Sequence, residues 1–324
     1  MAEIRAKPPW LHARALRSVL ISIIFASLIA LPALIGKSWL NITIEILIMA
    51  LAACSLNLML GYTGLVSFGP AGLYAVGAYT TAILLTRFKM NIVPAMIAAP
   101  IMAAIVGWAV GWVCVRRTKV YFALLTLAFS QIIWTIIFEW YAVTGGDNGI
   151  VSIPTPEFFF PIVNSYYFCL AVVGCCIFAL WRIVNSPFGR TLQAIRENPG
   201  RVEFIGVNLK RYQLAAFILS SIFLGIAGSL YCVFSGSAFP DFAHWTKSTD
   251  MLVMCLLGGL YRFSGPLVGS AVYTMLAKTL SKHTMHWNLI LGVTVVLLVL
   301  LMRNGVMGFL SERLSRKKQA RPCA

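Results

Sequence analysis

Cys114-Val115-Arg116-Arg117-Thr118-Lys119-Val120 packs three bases into four residues between two long apolar runs, 92–115 and 120–143. A helix of roughly 20 apolar residues is long enough to cross a bilayer. Lys and Arg between two such helices mark the cytoplasmic face, because short basic loops stay on that side. The turn therefore reads as an inner loop joining two transmembrane helices.

Outward from this turn, the same reading extends to ten apolar segments, about 18–36, 42–60, 66–86, 92–115, 120–143, 164–184, 211–235, 249–261, 264–281 and 287–303. Starting inside, ten crossings place both termini in the cytoplasm. Twenty of the 26 Lys and Arg then lie inside, in the segment 1–17, at 116–119, over 182–211, at Arg262 and from Arg303 onward. With Glu3, Glu197, Glu203 and Glu312 on the same side, its balance equals the formal net charge of the whole chain, +16. One span more or fewer would move a basic cluster outside. The expected class is an all-α polytopic membrane protein of about ten transmembrane helices. A basic N-terminal segment (1–17) leads into a transmembrane domain (18–303) with an inner loop at 185–210, and a basic tail (304–324) follows. An offset of five crossings allows spans 2–5 and 7–10 to form an inverted repeat, although they share no evident sequence identity.

Composition agrees. Charged residues are 11% and hydrophobic ones 60% of the chain, whereas soluble domains carry about 25% charge. The runs are unbroken, as helices require, not alternating as in a barrel. The bases flank apolar runs, which fits anionic lipid and not nucleic acid. Seven of the eight cysteines lie in apolar segments and no CxxC occurs, so they read as small core residues. His283 and His286 have helical spacing but no acid or Cys near them, and no metal site is expected. Residues 1–17 and 18–36 have the order of a signal peptide, yet the apolar run is long and no small-residue cleavage site follows. Gly36-Lys37-Ser38 lacks the first glycine of a phosphate loop, so ATP is not expected to bind this chain. Glu45, Glu139, Asp250 and Lys278 map near the outer ends of their spans. A stand-alone carrier usually keeps an ionisable group at mid-membrane, and none is read here; such a carrier or channel for a small neutral solute remains the alternative.

Two segments carry more specific signals. Ser186-Pro187 starts a helix. Phe188, Leu192 and Ile195 form an apolar stripe on it, with Arg190, Gln193, Arg196 and Glu197 off the stripe, before Asn198-Pro199-Gly200 ends it. Such a rod fits either transmission of motion from a cytosolic partner or a helix lying on lipid, and spacing does not separate the two. The second segment, 61–79, is rich in glycine and hydroxyls: Gly61, Gly64, Ser67, Phe68, Gly69, Pro70, Gly72 and Gly77. Its small residues allow close helix approach, as do the pairs Gly107/Gly111 and Gly265/Gly269. The eighth span is short and flanked by Gly258-Gly259 and Gly265-Pro266, as in a discontinuous helix beside a solute path or a tilted one.

At these residues the chain resembles the permease subunits of branched-chain (hydrophobic) amino acid ABC importers, LivM type. Four blocks carry the likeness: Asn57-Leu-Met-Leu-Gly-Tyr-Thr-Gly-Leu-Val-Ser-Phe-Gly69 with Gly77-Ala-Tyr79; Tyr121-Phe-Ala-Leu-Leu-Thr-Leu127 with Thr144-Gly-Gly-Asp-Asn-Gly149; Ser186-Pro-Phe-Gly-Arg190 through Glu197, Gly206 and Tyr212; and Gly258-Gly-Leu260 with Gly265-Pro266. The resemblance implies a bacterial inner-membrane permease that is not itself an enzyme. It also implies a second homologous permease (LivH type), two cytosolic ATPases that hold ATP and Mg, and a periplasmic solute-binding protein. The expected ATPase-coupling residues are Phe188, Arg190, Leu192, Ile195, Arg196, Glu197, Glu203 and Gly206. An Asp at Phe188 or Leu192 is expected to abolish uptake while the protein stays folded. The expected path residues are Gly64, Ser67, Phe68, Gly69, Gly72, Ser130, Gln131, Gly258 and Gly259. Thr126, Thr135, Ser220 and Ser221 offer further uncharged hydrogen bonds. Asp147, Asn148, Asp241 and Lys247 are candidates for touching the binding protein. Pro70, Arg201-Val202 and Tyr261-Arg262-Phe263 depart from the family's usual residues, which leaves the solute open: branched-chain or other amino acids, urea, amides or aromatic acids.

Overall fold

A computed structural model describes residues 31–32, 36–116, 119–156, 159, 161–284, 286–301, 305 and 307–308. The basic N-terminal segment, nearly all of the first expected span, Arg117 and the tail beyond 308 lie outside the described residues. Among those described there is no strand, only an isolated antiparallel bridge between Ile150 and Ala238.

Helices stand where nine of the ten apolar segments were read. α1 is Lys37–Asn57 and runs on into a π-helical turn, Leu58–Thr63. α2 is Pro70–Thr86, α3 Ile92–Cys114, α4 Lys119–Glu139 and α5 Ile162–Asn185. Two short helices follow, α6 (Pro187–Glu197) and α7 (Pro199–Phe204). α8 is Leu209–Ser235, α9 Trp245–Gly258, α10 Gly265–His283 and α11 Trp287–Leu301. Among the described residues, five stretches are long and apolar enough to cross a membrane by themselves: Lys37–Thr63, Ile92–Cys114, Val120–Glu139, Ile162–Asn185 and Leu209–Ser235.

Burial separates centre from rim. The protein covers 72% of the apolar stretch of α1 and 67% of that of α8, against 22–33% for α3, α4 and α5. α1 and α8 are therefore the central pair, joined where the Ser220 hydroxyl donates to the Ser55 carbonyl at 2.7 Å. α3 shows what the rim faces. Its inner side is small (Ala95, Ala99, Ala103, Gly107) and its outer side is large (Ile97, Ile101, Ile105, Trp108, Trp112), each of the latter more than half exposed. Water would not tolerate that ridge, and lipid does.

The packing order is regular. α2 lies on α3 as α9 lies on α10, α8 on α3 as α1 on α10, and α8 on α2 as α1 on α9. The α2–α8 crossing is a close one. A Cβ on Gly77 would collide with the Gly225 backbone, and one on Gly228 with the Tyr74 carbonyl. Both GxxxG pairs are seams of this kind: Gly107 and Gly111 admit Ser221 and Phe217 of α8, and Gly269 admits the Met254 carbonyl of α9.

Two helices begin inside the bundle, which corrects the continuous span expected over 66–86 and explains the short one over 249–261. After Gly64 the chain leaves the helix and runs without regular structure, and α2 starts at Pro70 beside Thr126 and Ser130 of α4. Ser130 lies about 17 Å along a helix about 32 Å long, at 1.5 Å per residue. The α2 start is therefore half-way through. α9 begins at the same level, since Ser248 meets Ala71.

Candidate functional site

Backbone amides exposed by a break in a buried helix need partners. At the start of α2 the partners are hydroxyls. The Phe68 amide donates to Thr126 Oγ1 (3.2 Å), Gly69 to Ser67 Oγ (3.3 Å), Ala71 to Ser248 Oγ (3.0 Å) and Gly72 to Ser130 Oγ (3.1 Å). Ser67, Thr126, Ser130 and Ser248 are all buried. Gly69 and Gly72 lie directly on α4: a Cβ at Gly69 would come within 2.8 Å of the Thr126 carbonyl oxygen, and one at Gly72 within 3.1 Å of Ser130 Oγ. Of the expected path residues, Ser67, Phe68, Gly69, Gly72 and Ser130 thus gather around one break at mid-depth. Gln131 sits beside them on α4, with its amide nitrogen buried and unpartnered. Ser220 and Ser221 are spent on backbone carbonyls within the bundle.

The second break lies between α9 and α10. Gly258 and Gly259 are buried there, and Gly258 faces the backbone of Gly265. The Leu260 carbonyl abuts Gly61 at the end of the π-helical turn. Gly64, at φ +76°, closes that turn in the left-handed region, with Leu65 N bonded to Met59 O at 3.0 Å. Gly64 therefore terminates α1 at the end of the bundle that carries α6, below the mid-depth cluster.

The start of α9 carries ionic groups deeper than the sequence placed them, Lys247 as well as Asp250. Asp250, read near an outer end, lies two residues past Ser248, and its Oδ1 accepts from the Tyr273 hydroxyl at 2.5 Å. Tyr273 is near the middle of α10, which agrees with the level set by Ala71. The misplacement follows from treating α9 as a full crossing, when its first turn begins at mid-depth. Glu45 and Lys278 pair at 2.7 Å between α1 and α10.

α6 is capped as its sequence requires: Ser186 Oγ accepts from Gly189 N at 3.4 Å. Its stripe faces inward. Leu192 is fully buried and Ile195 nearly so, against the π-helical turn and α8, and the Phe188 ring stacks on Tyr212 at 5.6 Å. The stripe therefore lies on the protein itself and not on lipid. This corrects the expectation that Leu192→Asp would leave a folded protein. The outward side presents Arg190, Glu197 and Glu203. Beyond them Phe204 and Ile205 stand bare at the tip of α7, 93% and 77% exposed.

The family model described as "Branched-chain amino acid transport system / permease component" matches residues 38–302. The chain belongs to this family. Among its relatives, the high-affinity branched-chain amino acid transport system permease protein LivM of Escherichia coli (strain K12) is 25% identical over 90% of this chain and 75% of its own length. A probable LivM of Methanocaldococcus jannaschii is 25% identical over 75% of this chain and 81% of its own. The LivH permease of Salmonella typhimurium is 23% identical over 80% and 91%. No solved structure matches the permease.

The loops expected to meet a binding protein come together in the permease. Ile150 and Ala238 exchange backbone hydrogen bonds at 2.9 and 2.8 Å, and Ile153 N reaches Gly236 O at 3.1 Å. Asp147 and Asn148 are exposed on one loop and Asp241 on the other, while Lys247, in the first turn of α9, lies over the Tyr231 ring. Sequence reasoning missed Ser248, whose role depends on a contact 177 residues distant in sequence. It also missed Phe204 and Ile205; an apolar pair at the end of a charged segment was the signal for them.

Proposed function

We propose that the permease is the transmembrane subunit of an ATP-binding-cassette importer in the bacterial inner membrane. It takes up a branched-chain or otherwise hydrophobic amino acid, or a related small solute, handed over by a periplasmic binding protein. One observation carries the reading: the family match runs from residue 38 to 302, across nearly every described helix. Relatives named LivM and LivH favour a pair of homologous permeases as the working unit. Two cytosolic ATPases with ATP and Mg would drive it, docking on the outward side of α6–α7 within the loop 185–210. Ten crossings with both termini cytoplasmic remain the reading of the charges. The paired packing of α1–α4 and α8–α11, and the two helices that start at mid-depth, support an inverted repeat of spans 2–5 and 7–10.

Asp250 at mid-depth favours a second reading, a stand-alone carrier that uses a buried acid. Proteoliposomes decide between them. Leucine uptake should require the partner permease, the ATPases, the binding protein and ATP together. Uptake by this chain alone, driven by an ion gradient, would sink the importer reading.

A further inference from the structure

Arg196 of α6 touches both breaks in the bundle. Its guanidinium donates to the Gly61 carbonyl in the last turn of the α1 segment. It also lies over the Tyr261 ring, 4.9 Å from the centroid, in the turn between α9 and α10. Its stem packs against Gly64, where an added Cβ would come within 2.8 Å of Arg196 Cγ. Glu197 adds an ion pair at 3.8 Å.

A helix C-terminus leaves carbonyls without intrahelical donors and carries the negative end of the helix dipole, so a cation there is favoured. Here α1 takes such a cap from another helix. The end of α1 is therefore held by α6, not by its own helix alone. The same guanidinium leans on the loop whose Leu260 carbonyl meets Gly61. One turn before Gly61, Asn57 is buried with its side-chain oxygen unpartnered. A segment wound as a π-turn with an idle acceptor is a natural place for a second arrangement.

We propose that Arg196 is the strut of the transport cycle: it passes displacement of α6 simultaneously to the α1–α2 break and the α9–α10 break. The inference rests on α6 being the ATPase's docking element. Arg196 acts by positioning Gly61 and Tyr261 and touches no solute.

The test uses the complete transporter in proteoliposomes, with uptake and ATP hydrolysis measured on the same sample. Arg196→Met keeps the stem and removes the donor. It should lower solute moved per ATP by about ten-fold, within the usual span of coupling between sites. ATPase co-purification and basal hydrolysis should stay at parental levels. Arg196→Lys should recover part of the loss, since an ammonium still caps Gly61; space-filling alone would not separate Lys from Met. Tyr261→Leu changes an exposed ring and should leave folding intact while lowering the same ratio about five-fold, the low end of such couplings. Parental coupling in folded Arg196→Met would overturn the strut, as would parental coupling in Tyr261→Leu should the Met variant fail to fold. A parental transporter with which no ATPase co-purifies would instead remove the functional reading beneath it.

Discussion

The hydroxyl of Ser248, in the first turn of α9, accepts the backbone amide of Ala71, in the first turn of α2, at 3.0 Å. Two helices that both start inside the bundle are thus tied end to end at its middle. Ser248→Ala leaves a buried N–H without a partner, which costs about 1–3 kcal/mol. The expected result is a lower melting temperature of the detergent-purified complex, with Ser248→Thr closer to the parent. Equal melting of parent and Ala variant would mean that the amide finds another acceptor.

The α2–α8 crossing predicts a sharper loss. Gly228→Ala places a methyl group against the Tyr74 carbonyl, where the nearest atom is backbone and cannot rotate away. Overpacking of this kind costs about 1–3 kcal/mol or more. The variant should yield little monodisperse protein, whereas Gly236→Ala, at a left-handed turn with open space around it, should lose only what the φ of +63° imposes.

α6 separates folding from docking. Leu192→Asp buries a carboxylate among apolar groups and should abolish membrane-inserted, folded protein. Phe204→Asp changes a side chain that touches water and should leave the permease monodisperse. Its effect should be weaker ATPase co-purification and lost uptake. A folded Leu192→Asp variant would contradict the inward stripe, and normal ATPase retention by Phe204→Asp would remove α7 from the docking surface.

Sequence revealed the helices because unbroken apolar runs and basic turns are local signals. Lys119 and Glu139 bound α4, and Arg182 and Asn185 bound the end of α5, close to where the charges placed them. Depth was less legible. Pro70 and Ser248 carry no local mark that their helices begin half-way, because the stabilising hydroxyls of Thr126 and Ser130 come from another helix. The same gap put Asp250 at the membrane edge. The stripe of α6 was visible as a period, but its partner was not, since lipid and the flank of α8 are equally apolar.

Asp250 and Tyr273 make an ordered series testable. Tyr273→Phe removes the donor and strands the carboxylate at mid-depth, which is costly in low dielectric. Asp250→Asn keeps an acceptor for the hydroxyl and drops the charge. Stability should fall in the order parent or Asp250→Asn, then Tyr273→Phe. Tyr273→Phe melting with the parent would show that the carboxylate is solvated or otherwise paired.

The bridge between the two loops fixes the last expectation. Ile150 and Ala238 exchange both backbone hydrogen bonds, and such a pair brings Cα atoms to about 5.5 Å. That separation lies inside the range a disulfide spans, about 4.4–6.8 Å. In a background cleared of the eight native cysteines, Ile150→Cys with Ala238→Cys should oxidise readily to an internal disulfide, read as protection from maleimide labelling. Ile150→Cys with Gly236→Cys, out of register, should oxidise more slowly. If these loops receive the binding protein as one rigid surface, the cross-linked transporter keeps its uptake. Loss of uptake on oxidation, restored by reductant, would instead mean that the loops part during the cycle.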